Sequence, residues 1–536
     1  MSPAHYAVAT GANESPRLGC VAALVDALRA AAVPYCHWKS NEHLLAAVAG
    51  DTDLDVLFDE SGRSAAVQVL EQVGFRRACA VWYRRYPHIE DYLCIDPASG
   101  RLVHVHAHFR LLVGEESVKS YRLPWEKEIL DSRQWDEVAQ FPAAEPGREL
   151  LLLLVRAAIK RRHPSLHRRL LHARSRASSA SDERREFTWL KQRVASIQLT
   201  ALAASLLGSH SVPAVEALYE SGMGTDNLVR LYETAHLDRF LVSGLGTTRL
   251  RRALRWSVAL GAVVSRRAGL IARPSRRRLI GGGLIVAVLG ADGSGKSTLV
   301  KSLDAALSKK LDVERLYLGS GDGPSSLLRR PLVLLRGWRQ RRRVAAGAEL
   351  LRAPGSGEAT RPGRGGVLRT CERVLWAVSL ALEKRARVRA AARARARGKI
   401  VVTDRYPQAN IEGYNDGPLL GDLAGSRWWP LRALSRWERS GYLPEQIAQP
   451  DVVLELIGSP RVLHERRPEM SMEAIIRKQE GILAIVFAPH VRVVRLDANA
   501  SAQQVVTSAM VAVGAVLQGF HIDAMPVDVI ETDAAH

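Results

Sequence analysis

No CxxC pair occurs among the five cysteines, Cys20, Cys36, Cys79, Cys94 and Cys371, and their number is odd. Both facts argue against a disulfide framework and a cysteine zinc site, and point to a reducing, cytoplasmic compartment. No apolar run reaches the ~18–20 residues that span a bilayer. The best candidate, Trp256–Ile271, is interrupted by Arg266 and Arg267. The first residues lack a basic start followed by an apolar core, so no secretory leader is expected. No internal repeat is found, which argues against a solenoid. Acidic residues are in short supply, 55 against 76 Lys and Arg, giving a formal charge of +21.

That charge favours anionic partners: nucleotides, acidic glycans or a membrane surface. Much of the excess lies in three runs, Arg156–Arg176, Arg329–Arg343 and Arg385–Arg397. They read equally as solvated helix faces. No aromatic or groove-reading motif accompanies them, so nucleic acid is not the expected partner. Peripheral contact with an anionic membrane stays open, and the oligomeric state cannot be read.

With 536 residues, 47% of them hydrophobic, the chain is long enough for two or three domains at roughly 100–200 residues each. Residues 17–145 mix helical and strand patterns, and 146–275 are helical in pattern. Residues 280–520 alternate short apolar strands with helices, the pattern of a parallel sheet covered on both faces. The expected strands there are Leu284–Leu289, Glu314–Leu318, Lys399–Asp404, Asp451–Ile457 and Val491–Leu496. Loops and short helices are expected over Gly319–Gly366, and 521–536 form an acidic tail.

The strand ending at Leu289 runs into Gly290-Ala291-Asp292-Gly293-Ser294-Gly295-Lys296-Ser297-Thr298 and then a helical stretch. This fits G-x-x-x-x-G-K-[ST] in its strand-loop-helix context. Glycines let backbone N–H groups converge on phosphate oxygens, and the helix N-terminus adds partial positive charge. Lys296 can reach the β- and γ-phosphates of ATP, and Ser297 can ligate Mg²⁺. Thr403-Asp404-Arg405-Tyr406-Pro407 ends a later strand, at the edge where ligands sit in open α/β sheets. Asp404 is placed to hold Mg²⁺ and Arg405 to clamp a phosphate. Asp451–Ile457 leads into an arginine-bearing helix with Arg466 and Arg467, positioned like a lid.

These three motifs together resemble the thymidylate kinase-like group of P-loop kinases over roughly residues 282–518. The resemblance implies transfer of the γ-phosphoryl of ATP, with Mg²⁺, to a nucleoside monophosphate. Lys296, Asp404, Arg405, Arg466 and Arg467 are then the catalytic candidates. Gly290, Asp292, Gly293, Ser294, Gly295, Ser297 and Thr298 complete the nucleotide loop. Between Lys296 and Asp404, Tyr317–Gly323 departs from the group's usual monophosphate-binding stretch, so the acceptor is read more broadly, as a nucleotide or another small molecule.

In the N-terminal part, Asp53-Leu54-Asp55 opens a strand, and alternation puts both carboxylates on one face. Two such groups can share Mg²⁺ and a triphosphate. With Ser40 upstream, this resembles the nucleotidyltransferase superfamily over about residues 30–115. That superfamily implies a third carboxylate on a neighbouring strand. The candidate strand offers His104, His106 and His108 instead, a set that reads as a metal site or as a hydrogen-bonded strand face. The leading expectation is an ATP-dependent kinase. A fused nucleotidyltransferase and kinase of glycan or cell-surface assembly is one alternative, and a non-catalytic nucleotide-gated binding protein is another.

Overall fold

The computed structural model describes residues 17–115, 118–162, 173–242, 276–319, 364–411 and 417–519, with isolated positions between 254 and 265. Most of the second basic run, the Gly319–Gly366 stretch, the Trp256–Ile271 segment and the acidic tail lie outside the described residues. The chain divides into two compact units, Met1–Arg277 and Arg278–His536.

The first unit is mixed. Its strands are β1 (Tyr35–His37), β2 (Leu54–Phe58), β3 (Arg76–Cys79), β4 (Ile89–Ile95), β5 (Leu102–His108), the hairpin pair β6 (Leu111–Glu115) and β7 (Val118–Leu123), β8 (Gln134–Asp136) and β9 (Phe141–Ala143). Apart from the hairpin they pair in the order β3-β4-β5-β2-β1-β9-β8. The strand β2 lies parallel to β5 and antiparallel to β1. Alternation sorts the two faces. Val56, Phe58, Val103, Val105 and Ala107 pack on α1 (Gly19–Ala30) and on α3 (Arg63–Gln72), which follows the short α2 (Leu44–Val48).

The opposite face carries Cys36, Trp38 and Leu57, and these share a core with the helical stretch that follows α4 (Glu126–Asp131). That stretch comprises α5 (Pro146–Arg162), α6 (Ala173–Lys191), α7 (Ser196–Leu206), α8 (Val212–Ser221) and α9 (Thr225–Thr234). The middle of helix α5, Leu150–Ile159, is apolar all round save Arg156, and Leu150–Val155 are each at most 1% exposed. A helix of that composition belongs at the centre of a bundle. Pro213 falls in the first turn of α8, where its missing N–H costs nothing.

The second unit opens with a two-residue strand, β10 (Arg278–Leu279), followed by β11 (Leu284–Gly290), β12 (Val313–Tyr317), β13 (Ile400–Asp404), β14 (Val452–Ile457) and β15 (Arg492–Asp497). The last five form a parallel sheet in the order β12-β13-β11-β14-β15. The three central strands, β13, β11 and β14, are mostly Val, Ile and Leu because both their faces are covered, whereas the edge strands β12 and β15 carry charged residues and stay partly exposed. Ile285, Ala287 and Leu289 pack with α11 (Arg364–Ala396) and with Ile482 of α14 (Met472–Leu483). On the alternate face lie α10 (Lys296–Leu307) and α15 (Ala502–Gln518), in contact with each other. Two further helices, α12 (Trp429–Ser440) and α13 (Pro460–Arg466), flank the sheet's later connections.

Ser501 caps α15 in a reciprocal box: its hydroxyl accepts from Gln504 N, and Gln504 Oε1 accepts from Ser501 N at 3.1 Å. Ser501→Ala should lower unfolding free energy by about 0.5–2 kcal/mol, read from the shift in a urea midpoint.

Several arginines of the third basic run are internal ties rather than a solvated face. Arg385 donates to Trp437 O and the Ser440 hydroxyl, Arg387 pairs with Glu383, and Arg395 pairs with Asp451.

Candidate functional site

The loops after β11, β13 and β14 leave the same carboxyl edge of the second sheet. Val288 of β11 and Tyr317 of β12 are both in register with Asp404, the last residue of β13. This brings the glycine-rich loop beside Asp404: Ser297 Oγ lies 2.9 Å from Asp404 Oδ2. The other carboxylate oxygen, Asp404 Oδ1, is buried with no hydrogen-bond partner among the described residues. A hydroxyl oxygen beside a carboxylate oxygen with unused lone pairs is the hard donor chemistry Mg²⁺ takes, so the residues present fit that ion.

The loop must pass close under its neighbours. A Cβ on Gly290 would stand 2.4 Å from Ser294 Oγ, and one on Gly293, at φ 88°, would stand 2.9 Å from Leu463 O. Only glycine takes both positions without displacing them. Lys296 is 7% exposed, and its Nζ donates to Ala291 O at 2.7 Å. Burial pushes its pKa down, and the Asp292 carboxylate opposes that shift.

Asp292 gathers three cations: Lys296 at 3.6 Å, Arg405 at 3.3 Å and Lys478 in direct contact. Burial opposes its ionisation, yet these cations hold its carboxyl below the usual range. Arg405 adopts φ 70°, a left-handed conformation that costs an arginine about 1–3 kcal/mol and recurs at functional sites. Its amide still bonds to Val288 O at 3.0 Å.

Thr298 is exposed on the first turn of α10. The lid pair separates. Arg467 adjoins the loop, its Cγ 3.2 Å from where a Gly293 Cβ would stand, and it pairs with Glu469 at 2.7 Å. Arg466 turns to Ala498 O at 2.9 Å, on the β15 side. Lys478, on α14, was not singled out from the sequence: no motif surrounds it, and only the packing of α14 delivers it to Asp292.

In the first unit, Asp55 is in register with His106 on β5, and His106 is in register with Asp91 on β4. Asp53, just ahead of β2, lies on the same face. His104 sits between Asp53 (Nδ1, 2.8 Å) and Asp91 (Nε2, 2.9 Å), and Arg277 reaches Asp91 at 2.8 Å. Asp55 Oδ1 meets Lys39 Nζ at 3.0 Å, His106 Nδ1 at 2.9 Å and His108 Nε2 at 3.7 Å. Burial opposes its charge, but Lys39 and the two histidines hold its carboxyl well below the ordinary range. Burial conversely lowers the pKa of both His106 and His108.

Ser40, at φ 55°, donates to Glu186 of α6 through its amide at 3.1 Å, and Asn41 is held by Glu149 of α5. Both D-x-D carboxylates are thus already matched by basic groups, and the adjoining strand supplies imidazole where an acid was expected. This donor set does not fit the all-oxygen Mg²⁺ shell that nucleotidyl transfer at Asp53 and Asp55 would use.

No family model matches the chain. Over 241 residues it is 29% identical to the uncharacterized ATP-binding protein YghR of Escherichia coli (strain K12), spanning 43% of this chain and 87% of that protein. To the uncharacterized ATP-binding protein YghS of the same strain it is 25% identical over 236 residues, 44% of this chain and 93% of that one. A solved thymidylate kinase from Candida albicans aligns over 42% of this chain and 89% of its own, at 14% identity and a TM-score of 0.25, too low to bear on the fold. No helix among the described residues is long and apolar enough to cross a membrane.

Proposed function

We propose that the second unit is an ATP- and Mg²⁺-dependent phosphotransferase that moves the γ-phosphoryl group onto a nucleotide or another small acceptor. The observation that carries this reading is the meeting of Ser297 and Asp404 at 2.9 Å beneath a lysine-bearing glycine loop. The similarity to two proteins named as ATP-binding supports the nucleotide.

Ser297 and Asp404 would hold Mg²⁺, which supplies neutralising charge to the phosphates when bound. The loop amides and the N-terminus of α10 bind the phosphate tail. Lys296, Arg405 and Lys478 now share the Asp292 carboxylate as counter-ion. A triphosphate tail offers them a stronger one, so the same cations can turn to the transferring group with little rearrangement. Arg467, beside Gly293, is placed to close over the loop and exclude water. Arg466, committed to Ala498 O, braces the base of that segment instead.

The test is ATP consumption screened across nucleoside monophosphates, sugars and lipid-linked glycans, with mass detection of the phosphorylated product. Asp404→Asn, which removes a direct ligand, should weaken Mg²⁺-dependent nucleotide binding by more than the ~10-fold that loss of an outer partner costs at least. A protein that neither binds ATP nor consumes it with any acceptor would overturn the reading.

A further inference from the structure

The geometry points to a site for a first-row divalent transition metal in the first unit, built from Asp55, His106 and His108. This rests on the donors alone and is independent of the kinase reading.

The parallel register of β2 and β5 sets Asp55 opposite His106, and alternation puts His108 on the same face. Three donor atoms converge: Asp55 Oδ1 to His106 Nδ1 is 2.9 Å, Asp55 Oδ1 to His108 Nε2 is 3.7 Å, and the two nitrogens are 3.2 Å apart. Donors about 2.0–2.2 Å from one ion, at tetrahedral or octahedral angles, stand roughly 2.9–3.6 Å from each other. The triangle is therefore close to ligand spacing before any ion is considered.

Hydrogen bonding within the protein does not satisfy it. His106 Nδ1 cannot donate to Asp55 and accept from His108 at once, so either one contact goes unmade or a single hydrogen is shared between the two, which weakens both. An ion that takes all three lone pairs removes the conflict. His108 is fully buried and held edge-on against Trp38, with ring centroids 5.0 Å apart, which fixes the aim of its Nε2. His104 is excluded from the set, because its Nε2 is hydrogen-bonded to Asp91 at 2.9 Å and its Nδ1 faces Asp53 at 2.8 Å rather than Asp55. Two imidazoles and one carboxylate suit Zn²⁺, Fe²⁺ or Co²⁺, and three protein ligands leave positions for water or a substrate. The competitor is Lys39, whose ammonium lies 3.0 Å from the same Asp55 oxygen and is itself 20% exposed.

The experiment is a Co²⁺ titration of the tag-free full chain, followed by visible absorption, with metal per chain counted by elemental analysis. One Co²⁺ per chain is expected, displaced by Zn²⁺ and unmoved by excess Mg²⁺. Asp55→Asn and His106→Gln should each weaken it by more than the ~10–100-fold that loss of an outer partner costs. Lys39→Met should tighten it by removing the competing charge. Lys296→Ala, in the other unit, should leave it unchanged. No saturable absorption would overturn the proposal. So would binding indifferent to both ligand variants, binding abolished by Lys39→Met, or an intense thiolate charge-transfer band. If circular dichroism shows His106→Gln misfolded, the Lys39→Met arm still decides, since that side chain is partly exposed and outside the triangle.

Discussion

Lys296→Ala is expected to lower ATP turnover by roughly 10²–10³-fold while the second unit stays folded. The two halves of that expectation come from the same cluster. In the resting protein, Asp292 faces Lys296, Arg405 and Lys478. Removing one of three cations leaves its carboxylate paired, so no buried charge is orphaned. Burial already disfavours the Lys296 ammonium, and its loss also removes a desolvation penalty. The net cost in stability should be about 1 kcal/mol, the worth of its bond to Ala291 O.

The transition state is different. Charge on the transferring group has no substitute for a lysine fixed at the N-terminus of α10. Arg405 and Lys478 reach Asp292 from β13 and α14 and cannot occupy its place. Loss of an interaction made in the transition state lowers kcat and kcat/KM together. Steady-state kinetics beside a thermal melt measure both halves. Turnover within a few-fold of the unaltered protein would remove Lys296 from the chemistry, and with it the phosphotransferase reading.

How far this was legible varies with the kind of contact. The central strands of the parallel sheet stand out because burial on both faces demands apolar runs such as Ile285–Leu289 and Ile400–Val402. The glycine loop is legible because its close passage under Ser294 and Leu463 needs glycine at Gly290 and Gly293, and the spacing G-x-x-x-x-G-K-[ST] records that need in the sequence. Alternation alone puts His104, His106 and His108 on one face.

What alternation cannot say is which acid each histidine meets. That depends on the register of β5 against β2 on one side and β4 on the other. His104 goes to Asp53 and Asp91, and only His106 and His108 reach Asp55. Contacts made across long stretches of chain were silent for the same reason. Glu186 meets Ser40 over a separation of 146 residues, and Lys478 meets Asp292 over 186. No local pattern encodes either. The sequence divides 17–145 from 146–275 by change of pattern, whereas Trp38 and Leu57 share one core with α5 to α9.

Glu149 gives a second large effect, on stability and its pH dependence. It lies in the first turn of α5, is 1% exposed, and accepts from Asn41 N at 2.9 Å and Asn41 Nδ2 at 2.7 Å. Burial pushes its pKa up from 4.5 to about 8, with Glu186 adding to the rise and the Asn41 bonds opposing it. Between those values the folded chain holds a proton that the unfolded chain has released. Stability is therefore fully present below about pH 4.5 and falls as pH rises, by about 1.4 kcal/mol per unit at most. Glu149→Gln removes this titration and keeps the volume.

Near pH 4.5 the variant should differ from the unaltered protein only by the ~1–3 kcal/mol of a buried amide NH₂ set against an Asn41 donor. It should then gain on it through pH 8, by about 3–5 kcal/mol in all, and hold that gain above. Lys119, whose pKa burial lowers to about 7, works in the opposite sense, adding stability from pH 7 towards 10.5. It is common to both proteins and cancels in the difference. Paired urea unfolding curves across this range measure that difference. A gap that does not change with pH would mean Glu149 is ionised in the folded chain, its charge carried by Asn41 and Arg156, and not kept neutral by burial.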